Sequence, residues 1–132
     1  MRTRTPTILK VMQTVIIADD ESSMRMLVHA TIDSDDYTVL EANDGAQAWA
    51  LIQEVNPALV LLDVQMPGLT GLEVLGLVKS TPALRNTKVI LLTSKAQEHD
   101  VEVGLLAGAD FYLTKPFSPL DLLSRVEEAL DL

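Results

Sequence analysis

Three carboxylates, a hydroxyl and an ammonium in this 132-residue chain stand where they could do chemistry together. Asp19 and Asp20 follow the apolar run Thr14-Val15-Ile16-Ile17-Ala18, and Asp63 follows Leu59-Val60-Leu61-Leu62. Thr93 follows Val89-Ile90-Leu91-Leu92, and Lys115 comes two residues after Phe111-Tyr112-Leu113. In open α/β sheets, ligands bind beyond the carboxyl ends of the strands, where strand order reverses. If the first and third runs are neighbouring strands, the three acids converge at one edge, and Thr93 and Lys115 arrive beside them. Close carboxylates without counter-charge raise each other's pKa and strain a fold. A hard, oxygen-seeking cation such as Mg²⁺ relieves that, because it takes one or two carboxylates and keeps positions for water or phosphate oxygens. The charges of Mg²⁺ and Lys115 then balance those of the acids. Such a site suits phosphoryl transfer, with Asp63 as nucleophile and Mg²⁺, Lys115 and Thr93 neutralising the phosphoryl oxygens.

The elements that must position these residues can be read from periodicity. The runs at 59–62 and 89–92 are apolar throughout, as strands covered on both faces must be, whereas Tyr37-Thr38-Val39-Leu40 is only half apolar. Between the runs lie helical patterns. The first carries Met24, Leu27, Val28 and Ile32, with Ser22 and Ser23 as cap candidates. A second follows Asp44-Gly45 and closes at Pro57; a third covers about Leu72 to Val78, with Pro82 ending any continuation. A fourth covers Val101 to Ala107 and stops at Gly108, and a last one begins after Pro119 with Leu122, Leu123, Val126 and Leu130 on one face. Five strands alternating with five helices predict a doubly wound parallel sheet in a three-layer sandwich. Residues 1–12 read as a leader or tail and 13–132 as one domain.

Composition excludes several functions. A net charge of −9 argues against direct binding to nucleic acid or anionic membranes. The absence of cysteine excludes disulfides, thiolate metal sites and a cysteine nucleophile, and suits the cytoplasm. No stretch has the ~20 consecutive apolar residues of a membrane span.

Taken together, Asp19-Asp20, the segment "LLDVQMPGLTGLEVL" around Asp63, "LLTS" at Thr93 and "GADFYLTKPF" around Lys115 resemble the receiver domain of two-component response regulators over Thr14 to about Leu130. The resemblance implies a flavodoxin-like sheet of order 2-1-3-4-5. It also implies that Asp63 accepts a phosphoryl group from a phosphohistidine on a histidine kinase or histidine phosphotransfer protein. Asp20 and Asp63, with the main-chain carbonyl of Gln65, would bind Mg²⁺ directly, and Asp19 through water. Lys115 would pair with the phosphoryl group next to a cis Lys115–Pro116 bond. Thr93 would move toward the phosphoryl oxygen and Tyr112 would turn inward, reshaping the face of the fourth helix, fifth strand and fifth helix toward a downstream target protein. The expected activity is signalling, with self-phosphorylation and slow self-dephosphorylation but no turnover of a substrate.

Two rivals share parts of this pattern. A flavin-phosphate site would need Gly, Ser and Thr where Asp19-Asp20-Glu21 stands, and a turnover phosphatase would need a second acid where Gln65 stands. Receivers that dimerise through their last helices carry a base where Val101 stands and an acid where Phe111 stands. Their replacement predicts a monomer or weak phosphorylation-dependent dimer, with Val101 and Phe111 exposed to meet another protein. Gln65 and Lys95 resemble family positions that tune phosphoryl lifetime. His29 and His99 read as surface histidines, and the methionines as core gap fillers.

Overall fold

The apolar runs become strands that lie side by side because each can hide both faces only under helices. The computed structural model describes residues 12–94, 102–105 and 107–132. In chain order these are β1 (Gln13–Ala18), α1 (Ser22–Ile32), β2 (Tyr37–Ala42), α2 (Gly45–Val55) and β3 (Leu59–Asp63). They continue with α3 (Gly71–Lys79), a 3₁₀ turn (Pro82–Leu84), β4 (Lys88–Ser94), helical residues 102–105 (α4), β5 (Phe111–Lys115) and α5 (Pro119–Leu130). The strands form one parallel sheet of order β2-β1-β3-β4-β5. This is the doubly wound, flavodoxin-like three-layer arrangement expected from the sequence.

Successive residues of β1, β3 and β4 point to opposite faces and so serve two cores. Ile16, Val60, Leu62 and Leu91 pack with Ile52 of α2 and Val74, Leu75 and Val78 of α3. Val15, Ile17, Leu61 and Ile90 pack with Val28 and Ile32 of α1 and Leu122 and Val126 of α5. Each fully buried Ile or Leu contributes roughly 1.5–3 kcal/mol relative to exposure. The central strands therefore anchor whatever stands at their carboxyl ends.

Local signals set the helix ends. Asp44 accepts the Gln47 amide at 2.7 Å, and Ser118 accepts that of Asp121 at 3.0 Å. Thr70 and Glu73 close a reciprocal capping box at α3. Asn56, in the left-handed region at φ 48°, terminates α2 before Pro57 can. Gly108 at φ +109° ends the helical stretch before β5, as expected.

Three readings need correction. Ser22 and Ser23 are not caps: α1 begins at Ser22, and Glu21 takes the cap position without a side-chain cap bond. Its own amide donates to Asp19 Oδ1 at 2.9 Å, which pins the acid turn where the helix starts. Phe111 is not exposed as expected. It packs partly buried against the α1–α5 core, with the Arg125 guanidinium 5.5 Å from its ring centroid. Among the methionines Met66 is core, whereas Met26 is 68% exposed, because it falls on the outer face of α1. The expectations for the leader through residue 11, and for Lys95, His99 and Val101, lie outside the described residues. Among the described residues, no helix is long and apolar enough to cross a membrane.

Candidate functional site

The carboxyl ends of β1 and β3 lie side by side, with Ala18 opposite Leu62 in register. That register brings Asp19, Asp20 and Asp63 together: each offers a carboxylate oxygen within 4.8 Å of the others. The backbone holds the turn tightly. Asp19 N–H donates to the Ala42 carbonyl at 3.2 Å, tying the end of β1 to β2. Val64 N–H donates to Leu92 O at 3.0 Å, and Gly71 N–H to Val64 O at 2.9 Å. A Cβ at residue 71 would collide with the Asp63 carbonyl, so glycine is what lets α3 start against the backbone of the central acid.

The carboxylates differ in environment. Asp19 is fully buried, Asp63 is 5% exposed and Asp20 is open to solvent. Lys115 reaches across from β5 and binds both buried acids, at 3.0 Å to Asp19 Oδ2 and 3.3 Å to Asp63 Oδ2. Burial first, and the nearby Asp19 charge second, push the Asp63 carboxyl up to about 6; Lys115 and the Gln65 amide at 3.3 Å pull against them. Burial depresses the Lys115 pKa, but its hydrogen bond to Asp19 and the charges of the two acids outweigh that and leave it raised. Lys115 therefore stays protonated, and Asp63 is an unusually basic carboxylate that is still mostly ionised at neutral pH.

An open cavity of about 310 Å³ is lined by Asp20, Glu21, Asp63, Gln65, Ser94 and Lys115. Thr93 is fully buried at the end of β4, and Ser94, one residue on, lines the cavity there. Ser94 was not singled out from sequence; strand alternation between Thr93 and Ser94 is the signal that could have found it. Gln65 borders the cavity two residues after Asp63. Tyr112 stands on β5 and is 44% exposed, and the Lys115–Pro116 bond is cis. Carboxylate oxygens alone make a donor set that fits a hard divalent cation, and a cavity with one buried carboxylate and one ammonium has room for a small anionic group.

Comparison with known proteins gives a consistent assignment. The family model described as "Response regulator receiver domain" matches residues 15–127. Over 118 residues the chain is 38% identical to the phosphate regulon transcriptional regulatory protein PhoB of Pseudomonas aeruginosa, covering 89% of this chain and 52% of that protein. It is 32% identical to the DNA-binding response regulator MtrA of Mycolicibacterium paratuberculosis, covering 89% of this chain and 51% of the relative. The chain thus spans about half the length of these curated relatives. Among solved structures, the chemotaxis response regulator CheY4 of Vibrio cholerae superposes with a TM-score of 0.81 at 31% identity, covering 90% of this chain and 99% of that one.

Proposed function

The chain belongs to the response regulator receiver domain family of two-component signalling, and from that premise we propose that Asp63 accepts a phosphoryl group from a phosphohistidine of a histidine kinase or histidine phosphotransfer protein. The observation that carries this reading is the Asp63 carboxylate itself. It is buried, raised to about 6, held by Lys115 at 3.3 Å and open to a cavity on its free side. An Asp63 oxygen attacks phosphorus, the phosphorus–nitrogen bond breaks, and the departing imidazole takes up a proton, leaving an acyl phosphate on Asp63. The raised pKa marks a more basic and hence more nucleophilic oxygen, while at neutral pH the ionised form still predominates.

Asp20, Asp63 and the Gln65 carbonyl would hold Mg²⁺, with Asp19 one shell further out. Bound there, Mg²⁺ would supply positive charge against the phosphoryl oxygens. Lys115 exchanges its pairing with Asp63 for pairing with the new phosphoryl group. Thr93 donates its hydroxyl to a phosphoryl oxygen, and Tyr112 leaves its exposed position and turns inward behind it. The surface of α4, β5 and α5 changes shape as a result, and a downstream target protein reads the change. Gln65, where a turnover phosphatase would carry an acid, favours a stored acyl phosphate over steady hydrolysis. We place the reaction in the cytoplasm, in residues 13–132, with the chain a monomer or weak phosphorylation-dependent dimer. The named relatives, a transcriptional regulatory protein and a DNA-binding regulator, favour a second reading of the output, in which a receiver of this kind controls a nucleic-acid-binding segment of one polypeptide.

Incubation with acetyl phosphate and Mg²⁺ tests the assignment. Acid-labile, hydroxylamine-sensitive labelling at one phosphoryl per chain is expected for the native protein, with none for Asp63→Asn at unchanged circular dichroism. Equal labelling of the variant would overturn it.

A further inference from the structure

Behind the acid turn, a short polar chain leads from the surface to the main chain of Asp19. Arg25, in α1, donates from Nη1 to the Asp19 carbonyl at 2.8 Å and from Nε to Glu41 Oε1 at 3.1 Å. Glu41, near the end of β2, also meets His29 Nδ1 at 2.6 Å. The His29 hydrogen bond first, and that of Arg25 after an opposing effect of burial, hold the Glu41 carboxyl below its usual range. Arg25 is thus clamped at one end by an ionised partner while its other end grips backbone.

The consequence falls on Asp20. Its side chain makes no hydrogen bond or ion pair with another described residue, so only the main chain aims its carboxylate. The main chain is held on both sides of Asp20: Arg25 holds the carbonyl of the Asp19–Asp20 peptide, and Asp19 Oδ1 holds the amide of the next peptide, that of Glu21, at 2.9 Å. We propose that Arg25 is a positioning residue for the cation-binding acids, its fork fixing the Asp19–Asp20 peptide so that the Asp20 carboxylate faces Asp63. The inference rests on the reading that these acids hold Mg²⁺.

Charge and geometry predict opposite signs here, which makes the role testable. By Coulomb attraction alone, removing a positive charge beside a cation site tightens Mg²⁺ binding. Loss of positioning weakens it, as loss of an outer-shell partner does at other metal sites. The experiment is Mg²⁺ titration calorimetry on the native chain, Arg25→Ala and Arg25→Lys, with thermal melts in EDTA and acetyl phosphate labelling across Mg²⁺ concentration. For Arg25→Ala, Mg²⁺ affinity should fall roughly tenfold, the lower end of that outer-shell range. The Mg²⁺ concentration for half-maximal labelling should rise in parallel, while labelling at saturating Mg²⁺ stays near native. Arg25→Lys keeps the charge and loses the fork, so its affinity should lie between the two; it also serves if the alanine variant melts early. Unchanged or tighter Mg²⁺ binding in both variants would overturn the inference and leave the phosphoacceptor reading standing. A native chain that neither binds Mg²⁺ nor becomes labelled would overturn that reading and the inference with it.

Discussion

The two halves of the site are built on opposite terms. The acids stand at the ends of β1 and β3, and β3 is buried at every one of its five positions, between two neighbouring strands. Lys115 and Tyr112 stand on β5, the sheet edge, where Leu113 alone is buried among five residues. Charges that repel one another need a scaffold that cannot yield, and the centre of a packed sheet provides one. Groups that are to move when a phosphoryl group arrives need a place where displacement costs little, and an edge strand with a single buried side chain provides that. On the proposed function, one half holds the phosphoryl group and the other reports it.

Substitutions in the two halves should therefore differ in kind. The largest effect on stability is expected in the anchoring half: Leu61→Ala, which empties a fully buried position beneath the acids, should cost about 3 kcal/mol in urea unfolding. An effect below about 1 kcal/mol would show that the centre of the sheet is not the rigid half.

The next effect comes from the acid cluster. Burial and Asp19 raise the Asp63 pKa from 3.8 to about 6 in the folded chain. Between those values the folded state binds more protons than the unfolded one, so stability contributed by protonated Asp63 is lost as pH rises through about 6. In EDTA, Asp63→Asn should therefore be more stable than the native protein at pH 7.5, on the order of 2 kcal/mol, and the gap should shrink toward pH 4. A gap independent of pH would contradict the raised pKa.

Lys115→Ala joins the halves. Removing contacts of 3.0 and 3.3 Å to two buried acids should move the Asp63 titration upward from about 6, read from its carboxyl carbon by NMR, while Mg²⁺ binding persists. A downward move would mean that Lys115 is not the counter-charge. The smallest effect is expected at the reporting edge: Tyr112→Ala should change stability by less than about 0.5 kcal/mol yet impair phosphorylation-dependent partner binding. A larger loss of stability would make Tyr112 a packing residue.

Sequence reading succeeded where one residue's neighbourhood decides the outcome. The runs 59–62 and 89–92 could only be central strands, and the residues that follow them could only stand at their carboxyl ends. The capping box of Thr70 and Glu73 is legible in the same way. Contacts between distant residues were not legible. Lys115 meets Asp19 across 96 positions of sequence, and only strand order decides that meeting. Arg25 reaches Asp19 because a helix turns the chain back, and no pattern of residue types marks a bond to a carbonyl. Phe111 differs for the same reason: the exposure expected where an acid is replaced gives way to packing against the last helix, whose Arg125 lies over its ring.

The most direct test of the central claim is to trap the phosphoryl linkage chemically. After reaction with acetyl phosphate and Mg²⁺, borohydride reduction converts an aspartyl phosphate to homoserine, and peptide mass spectrometry locates it. The account predicts homoserine at position 63 and nowhere else; homoserine at Asp19 or Asp20, or none at all, would contradict it.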